Sequence, residues 1–277
     1  LGGASNLEEA LLTLARRMKP GFIGVATTAL VETRGEDSEG DLRLILERNP
    51  ELADTKVVLA STPDYAGALE EGWASATTAI IRSLVEPWSP SIRSFQQINV
   101  LPGVHQTPAD IEGLREIIES FGFYPVILPD TSYSLDGHIA ESWVPTSLGG
   151  TSLSEIANMA RAVHTIAIGE NMRAPADTLT AMTGVPATVF PTLTGLEPSD
   201  RLVSLLARLS LKPVPGRLRR HRAQLVDAML DGHFHFGGKK VGIAADPDFL
   251  CSLSPFPFTP LRAHETKANI VCPLLLE

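Results

Sequence analysis

The side chains able to do chemistry sit in loops that follow short apolar runs. "DTSYSLDGH" carries Asp130, Asp136 and His138, two carboxylates and an imidazole, a donor set that suits a divalent metal. Loop Asp and Gly also make ordinary turns, and no second ligand pair accompanies these three. In "STPDYAG" Asp64 is placed to act as a ligand or general base, although capping a helix or making an Asx-turn is the commoner use. His105 in "LPGVHQTP" is positioned either to orient a ligand or simply to be solvated. "DGHFHFGG" alternates His233 and His235 with Phe234 and Phe236. At strand spacing both imidazoles share a face, as zinc would require, but without a helical HExxH partner a packing role is favoured. Arg219, Arg220 and Arg222 lie on an amphipathic helix with Leu225, Met229 and Phe234 to bury, and they suit an anion, a partner's carboxylates or a solvated face. GxGxxG and GxxxxGK[ST] are both absent, which excludes the common dinucleotide and P-loop readings.

"FIGVATTALVETRGED" contains an apolar run that ends at Thr27-Thr28, gives way to a short loop at Ala29 and then turns acidic. Such a break places something at a strand's end, yet the loop lacks a nucleophile or a soft ligand.

The elements that position these loops repeat as apolar strand, polar turn and amphipathic helix. Strands are expected at 22–28, 56–62, 98–103, 125–130, 165–170, 187–191 and 240–246. Helices are expected at 6–18, 38–48, 66–84, 108–121, 153–163, 173–183, 199–210 and 217–231. Nearly continuous apolar strands alternating with helices predict an α/β fold, doubly wound, with mainly parallel sheets flanked by helices. Thr107-Pro108 with Asp110 reads as a helix start, Ser152-x-x-Glu155 as a capping box, and Asn6 as an N-cap. "PWSP" from Pro87 and the "GGKK" stretch from Gly237 predict boundaries: the end of one α/β domain over 1–95, a whole one over 96–237, and the start of a third over 238–277.

Bulk properties narrow the function. A chain of 277 residues exceeds the usual domain of about 100–200. A net charge of −9 argues against a nucleic-acid surface. Two cysteines, Cys251 and Cys272, exclude a disulfide scaffold and a CxxC metal site and suit a reducing cytoplasm. The start, "LGGASNLEEALL", lacks Met and a signal-like segment, so a fragment is expected. From residue chemistry alone the reading is an α/β ligand- or partner-binding protein without an assignable catalytic set.

Three long stretches add a resemblance: "INVLPG" with "TPADIEGLREIIESFGFYPVILPDTSYSLDGH", "TSLGGTSLSEI", and "RHRAQLVDAMLDGHFHFGGKKVGIAADPDFL". Together with "GFIGVATTALVETRGED" they make the chain, over residues 1 to about 250, similar to the nitrogenase component 1 family. Within it they resemble the NifN-type chains, the β-like subunits of the NifEN cofactor scaffold. The resemblance implies three α/β domains per subunit, here truncated, and a cytoplasmic heterotetramer with a NifE-like subunit. It implies a scaffold with no catalysis of its own. A donor delivers an iron-sulfur precursor of the iron-molybdenum cofactor, and the iron protein NifH helps install molybdenum and homocitrate. A [4Fe-4S] cluster shared with NifE is implied, with a cysteine of the NifN-type chain near the family's N-terminus, outside this sequence.

In the catalytic β chains of the family, the loop resembling Thr27-Thr28-Ala29 carries a cysteine ligand of the P-cluster, and the loop resembling "TPDYAG" a serine ligand. Ala29 offers iron no lone pair and Asp64 only a hard oxygen, which favours the scaffold. Thr28, Ala29 and Asp64 are thus expected near the cluster region without ligating it. The alternatives are a nitrogenase β chain of the molybdenum or vanadium system, or an unrelated α/β enzyme using Asp130, Asp136 and His138 with a metal. After Leu250 the resemblance stops, and Pro255, Pro257 and Pro260 break the helix a third domain needs. A frameshifted or truncated reading frame is expected there, with poor solubility for the isolated chain.

Overall fold

The computed structural model describes residues 3–87, 94, 96–143, 148–236, 243–253, 264–266 and 269–271. Its elements run α1 Gly3–Met18, β1 Phe22–Ala26, α2 Ala29–Thr33, α3 Ser38–Arg48, β2 Lys56–Ala60, α4 Leu69–Leu84, β3 Gln97–Leu101, α5 Pro108–Ser120 and β4 Tyr124–Ile127. They continue with α6 Leu153–Ala157, β5 His164–Ile168, α7 Arg173–Thr183, β6 Ala187–Phe190, α8 Leu196–Ser210, α9 Gly216–Phe236, α10 Pro247–Leu253, β7 His264–Thr266 and β8 Asn269–Val271.

β3 and β5 are buried at every position, the polar Gln97, Asn99, His164 and Thr165 included, as strands covered on both faces are. They form the centre of a parallel sheet ordered β4-β3-β5-β6, with Ile98 opposite His164 and Thr165 opposite Ala187. Side chains alternate across the sheet. Ile98, Val100, Ile166 and Ile168 join Ile111, Leu114 and Ile118 of α5 and Leu202, Leu205 and Leu206 of α8. Leu101 and Ala167 face the other way, onto Ala74 and Ile81 of α4, Ile156 of α6, and Ala176 and Leu179 of α7. This is the doubly wound arrangement expected.

β1 and β2 form a second, two-stranded parallel sheet, with Ala26 opposite Ala60. Its core is Leu11, Ala15, Ile23, Leu42, Ile45 and Leu52, drawn from α1, β1, α3 and the turn after α3. α4 touches β2 as well as α6 and α7, so one helix serves both sheets.

Local signals locate most elements. Thr107 Oγ1 accepts the Asp110 N–H while Asp110 accepts the Thr107 N–H, and Ser152 and Glu155 make the same reciprocal pair. Several expectations are corrected. α1 already includes Asn6 as an interior residue, because the helix begins by Gly3. The helix expected over 153–163 is α-helical only to Ala157 and tightens to a 3-10 turn over Asn158–Arg161. The loop expected at Ala29 is the first turn of α2. Of the strand expected over 240–246, the described part, 243–246, forms no strand and carries only an isolated bridge residue at Ala244, while the "GGKK" boundary, most of "PWSP", the tail prolines and Cys272 fall outside the described residues.

Candidate functional site

Parallel sheets bind ligands beyond the carboxyl ends of their strands, and each sheet here builds a polar cluster at that place. In the smaller sheet, the backbone ladder continues one step past the strands, where the Thr27 N–H donates to Ala60 O at 3.0 Å. Thr62 then donates its N–H to Thr27 Oγ1 and its hydroxyl to Thr27 O, both at 3.1 Å. Glu32, one turn into α2, folds back over this seam. Its Oε1 accepts the hydroxyls of Thr27 and of Ser61, the latter at 2.6 Å. Those two donors, Ser61 above all, hold the Glu32 carboxyl below its ordinary range. Beside the seam a groove of about 800 Å³ runs along the start of α4, lined by Ser61, Thr62, Asp64, Gly67, Glu71 and Trp73 among others.

In the larger sheet, the order β4-β3-β5-β6 makes the gap between β3 and β5 the topological switch point, because the chain leaves β3 toward one edge and β5 toward the other. Beyond β3 come Gly103 and His105, and beyond β5 come Gly169 and Glu170. α10 lies across this gap. Asp248 Oδ1 accepts the Glu170 N–H at 3.2 Å, and the Asp248 N–H donates to Glu70 Oε1 of α4 at 3.4 Å. Glu70 and Asp248 are buried. Burial pushes the Glu70 carboxyl up, against hydrogen bonds from its own backbone and that of Asp248, and pushes the His105 imidazole down. Phe249 faces the His105 ring, with centroids 6.4 Å apart.

The family model for nitrogenase component 1 type oxidoreductases matches residues 1–257. The chain belongs to that family. It is 56% identical over 257 residues to the nitrogenase iron-molybdenum cofactor biosynthesis protein NifN of Mesorhizobium japonicum, covering 92% of this chain and 56% of that protein. It is 55% identical to the NifN of Rhizobium meliloti, covering 92% and 58%, and 41% identical to that of Nostoc, covering 92% and 57%. Among solved structures, "Nitrogenase Cp1 at pH 6.5" superposes with a TM-score of 0.85 at 29% identity, over 92% of this chain and 55% of that one. The chain thus spans a little over half the length of the relatives it matches. The family match also runs past Leu250, where the resemblance was expected to stop.

On this nitrogenase component 1 framework, the residues singled out from sequence separate. Thr28 is exposed and Ala29 half-buried at the exit of β1, while Asp64 is exposed on the groove beside β2. Asp64 does not cap α4. Ala68 is the cap residue, and its N–H donates to Glu71 at 2.7 Å.

The metal reading of "DTSYSLDGH" is corrected. Asp130 is tied to Arg115 and accepts the Ser132 N–H and hydroxyl at 3.0 and 2.6 Å, whereas Asp136 pairs locally with His138. Among the described residues no group of three His, Cys, Asp or Glu side chains could hold a metal ion. His105 is not a solvated loop residue, because both its ring nitrogens are buried. Residues 232–236 continue α9, so the strand spacing on which the zinc reading of this segment rests does not apply. Arg222 pairs within the chain, its Nε and Nη2 donating to the two carboxylate oxygens of Asp200 of α8 at 2.8 and 2.9 Å, and Arg217 pairs with Glu116 of α5.

Sequence reasoning missed Glu32, Glu70 and Asp248. Asp248 lies at the end of a stretch that carries the family resemblance without marking it as a site residue, and Glu70 reads as one more acidic residue in a helix's first turn, where acid suits the dipole.

Proposed function

We propose that this chain is the NifN-type component of a scaffold on which the iron-molybdenum cofactor of nitrogenase is assembled, and that it does no catalysis itself. One observation carries the reading. At the exit of β1, where the resemblance places a cluster-ligating cysteine in catalytic β chains, the family framework holds Ala29, in a chain 56% identical to a NifN. Chemistry supports it. Cys251 is the single cysteine among the described residues, and Ala29, Thr28 and Asp64 supply no thiolate, so these residues do not fit a P-cluster. The hydroxyl–carboxylate seam at Glu32 instead ties the strand exits shut.

In this reading the chain contributes parts of three α/β domains, divided near 86–96 and 237–240, to a cytoplasmic heterotetramer with a NifE-like subunit. The [4Fe-4S] cluster is shared with that subunit, which holds the maturing precursor as cargo. A precursor donor and the iron protein NifH dock on the assembled pair.

The test is co-expression with a NifE-like chain, followed by purification on a tag placed on this chain alone. The expected result is a brown, iron-containing heteromeric complex that activates apo-nitrogenase when given molybdate, homocitrate, the iron protein and MgATP. A colourless product with no associated chain, or one that reduces substrate by itself, would sink the proposal.

A further inference from the structure

Four buried side-chain polar atoms have no hydrogen-bond partner among the described residues: Glu70 Oε2, His105 Nδ1 and Nε2, and Asp248 Oδ2. They belong to one cluster. Glu70 is bonded to the backbone of Asp248, and a Cβ placed on Gly169 would stand 2.6 Å from Asp248 Oδ2 and 3.4 Å from His105 Cε1. The space is tight from the β3 side too, since a Cβ on Gly103 would meet Ile168 O at 2.7 Å and His105 Cε1 at 2.9 Å. Gly169 has φ of 96°, so glycine serves there for conformation as well as for room. An unsatisfied buried polar atom is costly, and one proton on a carboxyl turns an acceptor into a donor.

We propose that Glu70, His105 and Asp248 form a proton-operated clasp that seats α10 over the carboxyl ends of β3 and β5, and that its release opens the switch-point crevice. Three elements meet there. α4 supplies Glu70, the loop after β3 supplies His105, and α10 supplies Asp248, whose carboxylate occupies the first free N–H beyond β5. When Asp248 leaves, that N–H and the imidazole nitrogens face the position where open sheets of this kind hold ligands.

The facing charges set the direction with pH. Glu70 is faced by Asp246 and Asp248 from the α10 segment and by Glu71 on its own helix, and desolvation leads in raising its carboxyl above the ordinary 4.5. A seated state that binds this proton more tightly is favoured fully below the ordinary value, and the gain is lost as pH rises through the raised one. His105 is faced by Asp248 and Asp110, and desolvation leads in lowering its imidazole below the ordinary 6.5. Its contribution is present above the ordinary value and lost as pH falls through the lowered one. The two groups therefore act in opposite directions: Glu70 favours the seated α10 in acid, and His105 favours it toward neutral pH and above.

The experiment is hydrogen exchange, corrected for intrinsic rates, across a pH series on the full chain purified with its native partners. In the His105→Gln chain, peptides covering 247–253 and the Glu170 amide should lose protection as pH rises from 4.5, and in the Glu70→Gln chain they should lose it as pH falls from 6.5. Each loss should be up to roughly tenfold per pH unit, the limit for exchange of one proton. The double variant should show neither. Flat profiles in both single variants overturn the proposal, and so does a loss on raising pH that survives in Glu70→Gln. Protection is read without cofactor assembly, so failure here leaves the scaffold reading untouched.

Discussion

Glu32 shows how a residue that reads as surface acid becomes structural. The sequence marks only an acidic turn after Thr27-Thr28, because Ser61, one of the two hydroxyls Glu32 receives, lies 29 positions away. Its lowered carboxyl fixes the sign of a test. The stabilisation is present above the ordinary value of 4.5 and is lost as pH falls through the lowered one. Glu32→Ala should speed exchange at the Thr62 amide at neutral pH, with little further change on acidification; an unchanged rate would mean the seam holds without it. Asn99 was equally hidden. It is fully buried in β3, and its Nδ2 donates to Met159 O at 2.9 Å and to Thr165 Oγ1 at 3.3 Å. Asn99→Ala orphans those acceptors in the sheet's centre and should cost about 1–3 kcal/mol in denaturant unfolding. The residues that could be read in advance were those whose partners are near neighbours in sequence. Asp64, His105 and Arg222 were placed in the right loops or helix, but their surroundings come from other elements.

At the scale of elements the sequence was more informative, because strands and helix starts are written locally. Residues 38–48 and 173–183 are helical as their periodicity predicts, and the six long strands begin within one position of expectation. Thr107 and Ser152 carry their capping chemistry within four residues. Thr107→Ala should therefore cost about 0.5–2 kcal/mol, and Thr107→Asn should recover most of it, since the amide oxygen still accepts at the N-cap. Equal losses in the two variants, measured by denaturant unfolding, would place the cost elsewhere. α2 escaped because five residues give periodicity nothing to register. α9 ran five residues past its expected end because the Phe-His alternation suggests strand while its surroundings continue the helix. Period-two patterns decide only when a sheet stands beside them.

For the whole molecule, the distribution of cores sets what should unfold first. Among the described residues, the four-stranded sheet is covered on both faces by two clusters of 14 and 12 buried residues, whereas the two-stranded sheet rests on one cluster of six. Two strands with so small a core are marginal without a supporting neighbour. That neighbour among the described residues is α4, which lies on β2 and inserts Ala74 and Ile81 into the larger unit's core, with Val85 following just past its end. The sequence could not show this double duty, because α4 has a single apolar face pattern whichever sheet it covers. Native-state hydrogen exchange should then give β1 and β2 amides a lower opening free energy than those of Val100 and Ile166. Ile81→Ala deletes a side chain with no exposure, so it should cost about 2–5 kcal/mol in the larger unit. By loosening α4 it should also lower protection in β2, although the mutated side chain lies in the other core. A loss confined to β3 and β5 would show that α4 is anchored to β2 independently, and coincident exchange of all strands in the unaltered chain would show one cooperative body.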